Sequence, residues 1–226
     1  MRLHLTLAAL TLIVAPLATT RLAAQGAKRP AKAADHDRAA KVDADLPPGW
    51  TARTDSDSDL VDVKFVTMAP GYHVTLGPAA ILYRAADKMT GPFHVSVTFT
   101  QTKAPPHPEG YGIFIGGKNL DGPARQYTYF MIRGDGRYLI KRRSGDSTSS
   151  IISGWSRHPA IVHADRSGKA TNDLEVVMAP DKASFMVNGR EVYNADPRLF
   201  DAAGIVGLRI NHNLDLHIAD YTVTKQ

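Results

Sequence analysis

Cysteine is absent from all 226 residues, which excludes a disulfide framework and any thiolate metal site. Whatever folds here is held by its core. Glutamate is nearly absent too, with Glu109, Glu175 and Glu191 the only three in the chain. No two of them share a short motif, so the paired-glutamate strand by which many glycosidases place acid and base a few ångströms apart is missing. The surplus of positive charge also shrinks on inspection. The chain has a formal net charge of +5, but residues 1–49 hold 7 Lys/Arg against 4 Asp/Glu, and residues 50–226 keep 20 against 18. A net of +2 over that length leaves no charge footprint for nucleic acid, which is not expected as a partner. A Gly-x-Ser-x-Gly elbow is missing, Gly116-Gly117 lacks the helix and lysine of a phosphate loop, and the nine His residues are scattered without His-x-x-x-His spacing.

What is present begins with a leader. Arg2, an apolar run from Leu5 to Ala18 and small residues at Ala23 and Ala24 have the layout of a secretory signal peptide over residues 1–24. The run is too short for a comfortable span, so no membrane span is expected after cleavage, and the expected location is periplasmic or secreted. Residues 25–48, rich in Ala, Lys, Arg, Asp and Pro, offer almost nothing to bury and are expected to be a disordered linker. From residue 49 to 226 the pattern is that of strands. Phe93, Val95, Val97 and Phe99 alternate with His94, Ser96, Thr98 and Thr100, giving one face for a core. Gly134-Asp135-Gly136 supplies a tight turn between two such runs, and Asn188-Gly189 supplies another, of type I′. Only Asp196 to Asp201 suggests a helical turn. About a dozen short strands and no internal repeat predict an all-β, two-sheet antiparallel jelly-roll sandwich.

The succession YGIFIGG (Tyr111 to Gly117), QYTYFMIRGDGRYLIKRR (Gln126 to Arg143), NDLEVVM (Asn172 to Met178), FMVNGREVY (Phe185 to Tyr193) and GIVGLRI (Gly204 to Ile210) resembles the concanavalin A-like lectin/glucanase superfamily. Within it, the rhythm is similar to laminin-G-like domains and to the bacterial family named for 3-keto-disaccharide hydrolase. The resemblance covers roughly Trp50 to Lys225 and implies a sandwich whose concave sheet binds carbohydrate. Its motifs are turns and strands, which binders and enzymes share.

Three groups of residues bear on function. The proline-stiffened loop that carries His107 and Glu109 delivers directly into the Tyr111 strand, and Asn211-His212-Asn213 joins two closing strands. Glu109, His107 and His212 are therefore the candidate acid/base residues, and Asn211 and Asn213 candidate hydrogen-bonders for sugar hydroxyls. Tyr127 and Tyr129 share a strand face that Arg133 ends; with Arg142 on the partner strand and Trp155 in a loop, they are the candidate rings and guanidinium groups for a sugar. Asn119 and Asp121 offer oxygen ligands for Ca²⁺, a use the laminin-G-like resemblance implies; no other cofactor is expected. The leading expectation is an exported carbohydrate-binding domain. The alternatives are a periplasmic glycoside hydrolase or lyase acting on (3-keto-)disaccharides, and a structural or protein-binding module.

Overall fold

The computed structural model describes residues 46–55 and 62–226. The expected signal segment and residues 25–45 of the expected linker lie outside the described residues. Fifteen strands follow in chain order: β1 (Trp50–Thr54), β2 (Val63–Thr67), β3 (Tyr72–Leu76), β4 (Ala80–Met89), β5 (Phe93–Gln101), β6 (Gly110–Lys118), β7 (Gln126–Arg133), β8 (Arg137–Ser144), β9 (Ser147–Ser150), β10 (Ser156–Arg157), β11 (Ala170–Met178), β12 (Ala183–Val187), β13 (Arg190–Ala195), β14 (Gly204–Ile210) and β15 (Asp215–Lys225). A 3-10 turn over Pro197–Leu199, started by the Asp196 side chain, is the helical turn expected there. Among the described residues no helix is long and apolar enough to cross a membrane.

The strands form two antiparallel sheets. The first runs β1-β4-β14-β6-β7-β8-β10, with β9 paired to β8, and the second runs β13-β12-β11-β5-β15-β3-β2. Several neighbours in space are distant in sequence, among them β4 and β14, β14 and β6, β11 and β5, and β5 and β15, as a jelly roll requires. Alternation sets what each strand contributes to the space between the sheets. From the second sheet come Phe93, Val95, Val97 and Phe99 with Leu174, Val176 and Phe185; from the first come Tyr111, Ile113, Phe130, Ile132, Ile140 and Leu208, all buried in one cluster. Trp50 closes one side of this core, edge-on to Phe65 and Tyr72. Leu46 also packs against it, Pro47 is buried, and the Pro47 carbonyl accepts from the Trp50 amide at 3.1 Å. Two residues of the expected linker thus have apolar surface that packs on the domain.

Turn chemistry follows the sequence closely. Asn188 and Gly189 have φ of 50° and 71°, both positive as a type I′ hairpin needs. The β7–β8 hairpin turns on Gly136 at φ 77°, where a side chain would run into His163.

The outer face of the first sheet carries a second buried layer. Ile81, Tyr83, Phe114, Tyr127, Tyr129, Met131 and Leu139 form an apolar cluster separate from the inter-sheet core. The outer face of the second sheet has no such layer. It is a ladder of short polar contacts, among them Ser96 Oγ to Thr222 Oγ1 at 2.8 Å, Thr100 Oγ1 to Thr171 Oγ1 at 2.9 Å and Thr98 Oγ1 donating to Asp173 Oδ1 at 2.7 Å.

Candidate functional site

At one end of the sandwich four connections lie side by side: the β5–β6 loop, the β7–β8 hairpin, the loop before β11 and the β14–β15 loop. The register explains why. Gly110, the first residue of β6, is the strand partner of Arg133, the last of β7, and the Gly110 carbonyl accepts from the Asn211 amide at 2.9 Å. Glu109 is thus delivered beside the Asn211-His212-Asn213 loop, and its Oε1 lies 4.0 Å from His212 Nδ1. His107 is exposed on the same loop.

Trp155 immediately precedes the two-residue β10, which pairs with β8, so its indole folds back over the outer face of the first sheet. A β-carbon on Gly110 would come within 2.7 Å of the ring, so the absence of a side chain there is what lets the indole lie down. Arg133 covers the ring with its guanidinium carbon 4.4 Å from the centroid. That guanidinium is itself held, Nε and Nη2 donating to the Asp135 carboxylate at 2.9 and 2.5 Å. Burial raises the Asp135 pKa, but the Arg133 bonds and the nearby Arg137 outweigh this and hold the carboxyl below its usual range. Trp155 and Arg133 therefore meet beside Gly110 on the outer face of the first sheet, while Glu109 and His212 approach each other on the adjoining loops.

Beside them a cavity of about 200 Å³ opens between Gln101, Ala104, Pro105, Pro108, Glu109, Gly134, Asp135 and Ala164. Gln101 was not singled out from sequence, although a signal was present: it continues the inward series Phe93, Val95, Val97 and Phe99, so a polar side chain occupies a core-facing position. Its Nε2 donates to the Gly168 carbonyl at 2.6 Å, and its Oε1 is buried without a partner. Asp135 was missed as well, having been read only as a turn residue. Two carboxylates, Glu109 and Asp135, line this one cavity although no short sequence motif joins them.

The other candidates lie elsewhere. Tyr127 and Tyr129 do project from the outer face of the first sheet, but they are buried at 2% and 7% exposure and present no open ring to a sugar. Burial is the chief influence raising both phenols. The reason is the ion-pair cluster beside them. Arg209 reaches Asp55 with two bonds, Nη1 to Oδ1 at 2.6 Å and Nη2 to Oδ2 at 2.7 Å, and Arg143 Nη1 adds a third at 3.1 Å. Burial works against the Arg209 charge, but the neighbouring Tyr127 oxygen and the Asp55 bonds more than offset this and raise its pKa. Asp55 answers in kind. Burial pushes its carboxyl up, while the Arg209 bonds, then Arg143 and Arg125, bring it below the usual value.

Arg142 has the opposite strand parity from Arg143 and donates from Nη2 to the Leu199 carbonyl at 2.6 Å, so it lies away from Arg133 and Trp155. The Asn211 side-chain oxygen accepts from Arg209 Nη2 at 3.3 Å, and Asn213 turns the loop at φ 54°. Asn119 also serves a turn, with φ 50° and its carbonyl accepting from the Gly122 amide at 3.1 Å. Among the described residues no group of three or more His, Cys, Asp or Glu is placed to hold a metal ion.

The fold is that of the lectin-like jelly-roll sandwiches. Among solved structures the chain is similar to the carbohydrate binding module CBM66 from Bacillus subtilis, at 13% identity over 78% of this chain and 96% of that one, with a TM-score of 0.56. It is also similar to a protein of unknown function with a galectin-like fold from the same organism, at 9% identity over 78% and 89% with a TM-score of 0.54. A third is the carbohydrate recognition domain of Emp46p, at 10% identity over 77% and 87% with a TM-score of 0.51. At such identities the likeness is one of fold. No family model and no curated protein matches the chain.

Proposed function

We propose that this chain is an exported carbohydrate-binding domain whose ligand docks at the end of the first sheet, around Trp155. The observation that carries the reading is the part-exposed indole laid over Gly110 and clamped by Arg133, with Glu109 and His212 beside it. An aromatic body with polar groups fixed at its edge suits a sugar, whose ring has an apolar face and a hydroxylated rim. The solved structures named above include two that bind or recognise carbohydrate by their own descriptions, which supports the class of ligand. Of the aromatic rings expected to serve a ligand on the concave sheet, Tyr127 and Tyr129 are buried, and Trp155 is the part-exposed one that supports this reading. Export rests on the layout of residues 1–24, and N-terminal sequencing of the mature protein tests it.

The decisive measurement is a glycan array followed by calorimetric titration of the protein and of Trp155→Ala. Binding to at least one saccharide, lost in the variant while the fold is retained, is the expected result; silence across a broad panel removes the reading and favours a structural or protein-binding module.

The approach of Glu109 to His212 beside a cavity favours one second reading, a hydrolase or lyase acting on (3-keto-)disaccharides, in line with the resemblance to the family of that name. In it Glu109 and His212 exchange the proton, with His107 close by on the same loop. Turnover of a 3-keto-glucoside abolished by Glu109→Gln supports it; turnover indifferent to that change sinks the assignment.

A further inference from the structure

The cavity that Glu109 and Asp135 line has a chemical bias that the carbohydrate reading does not use. Its polar side chains end in oxygen acceptors: the Glu109 and Asp135 carboxylates and the Gln101 amide oxygen. The amide orientation is fixed by its neighbour. Because Nε2 is the atom that donates to the Gly168 carbonyl at 2.6 Å, Oε1 is the amide atom left over, 3.1 Å from where a β-carbon on Gly134 would stand, and Gly134 lines the cavity. Gln101 is 2% exposed and this oxygen has no partner. A buried acceptor left so costs free energy of desolvation with nothing in return, unless something that donates occupies the space it faces. The remaining walls, Ala104, Pro105, Pro108 and Ala164, are apolar and add no donor side chain.

A sugar hydroxyl both donates and accepts, and would meet here only half of what it can use. A primary ammonium has three donors and no acceptor, which suits a cavity whose charged side chains are carboxylates. Of these, Asp135 is shared with Arg133 and with Arg137, whose Nε lies 3.5 Å away. Glu109 is the less committed charge, its nearest basic group being His212 at 4.0 Å.

We infer that the cavity between Gln101, Glu109 and Asp135 accepts the free amino group of an amino sugar whose ring rests at Trp155. This rests on the carbohydrate reading and narrows it to saccharides with an unacetylated amine. An acetyl group would replace the ammonium with an amide having one donor and a bulky acyl arm, a poor match to an acceptor-lined cavity of this size.

The test is titration of the full chain with glucosamine oligosaccharides, their N-acetylated counterparts and the corresponding glucose oligosaccharides, with free lysine as an amine lacking a sugar ring. The free-amine series is expected to bind at least about tenfold more tightly than the other two sugars, and more tightly than lysine. Glu109→Gln should reduce that preference while keeping the side-chain shape. Gly134→Ala, which places a methyl group against Gln101 Oε1 at a residue that needs no left-handed backbone, should remove the preference while leaving weak binding of the ring at Trp155. Equal affinity for acetylated and free-amine sugars, or a preference untouched by both variants, overturns the inference and leaves the carbohydrate reading standing. Lysine binding as tightly as the amino sugar overturns it in favour of a simple amine site. No binding of any saccharide overturns both.

Discussion

The outer faces of the two sheets are built from opposite materials. On the first, aromatic and aliphatic side chains are buried and held together beside a guanidinium–carboxylate cluster; on the second, hydroxyls and carboxylates pair with one another in the open. The inter-sheet core is shared, so the contrast isolates what each sheet adds on its far side. A face of the first kind stabilises the fold and leaves only its margin, at Trp155 and Arg133, for a ligand. The second kind leaves much of its face half-exposed and contributes little.

The contrast is broken most forcefully by removing the centre of the buried layer. Phe114 is fully buried, tilted against Tyr127 at 5.2 Å and edge-on to Tyr83 at 6.4 Å. Phe114→Ala should cost about 3–5 kcal/mol in a denaturant titration, the range for truncating a core aromatic. A loss below about 1 kcal/mol, the scale of a surface change, would mean that the layer is packed only loosely.

Next in size is the ion-pair cluster. Asp55→Asn leaves Arg209 buried with its main counter-charge gone, and a loss of about 3 kcal/mol at neutral pH is expected. The pH dependence follows from the direction of the Asp55 shift. Its folded pKa is lowered, so the contribution is complete above the unfolded carboxyl value of about 3.9 and is lost as pH falls below that, through the folded value. The stability curves of the wild type and Asp55→Asn should therefore diverge at neutral pH and approach each other below about pH 4. Parallel curves down to low pH would show that the pair contributes nothing.

These two features also mark where sequence reading stops. Alternation in Gln126 to Arg133 put Tyr127, Tyr129 and Met131 on one face, and the fold agrees; whether that face is wet or covered depends on Asp55 and Arg209, 154 positions apart. No local pattern carries that pairing. The turns were legible because Asn188-Gly189 and Gly134-Asp135-Gly136 state their backbone conformations locally. Trp155 was legible as a ring in a loop, but its position over Gly110 follows from the β8–β10 pairing. Gln101 was written into the alternation as a polar residue in an apolar series. Its meaning emerged only with the cavity it faces.

The smallest effect is expected on the second sheet, and it sharpens the contrast from the other side. Thr98 Oγ1 donates to Asp173 at 2.7 Å in the open, with Asp220 within 3.4 Å, and the three belong to different strands, β5, β11 and β15. Water replaces an exposed hydroxyl–carboxylate bond at little cost, so Thr98→Val, which keeps the β-branched shape, should change stability by less than about 0.5 kcal/mol. Saccharide affinity should be unchanged, since Thr98 lies on the opposite sheet from Trp155. A clear loss of binding in this variant, with stability intact, would move the ligand to the hydroxyl ladder and reverse the roles assigned to the two faces.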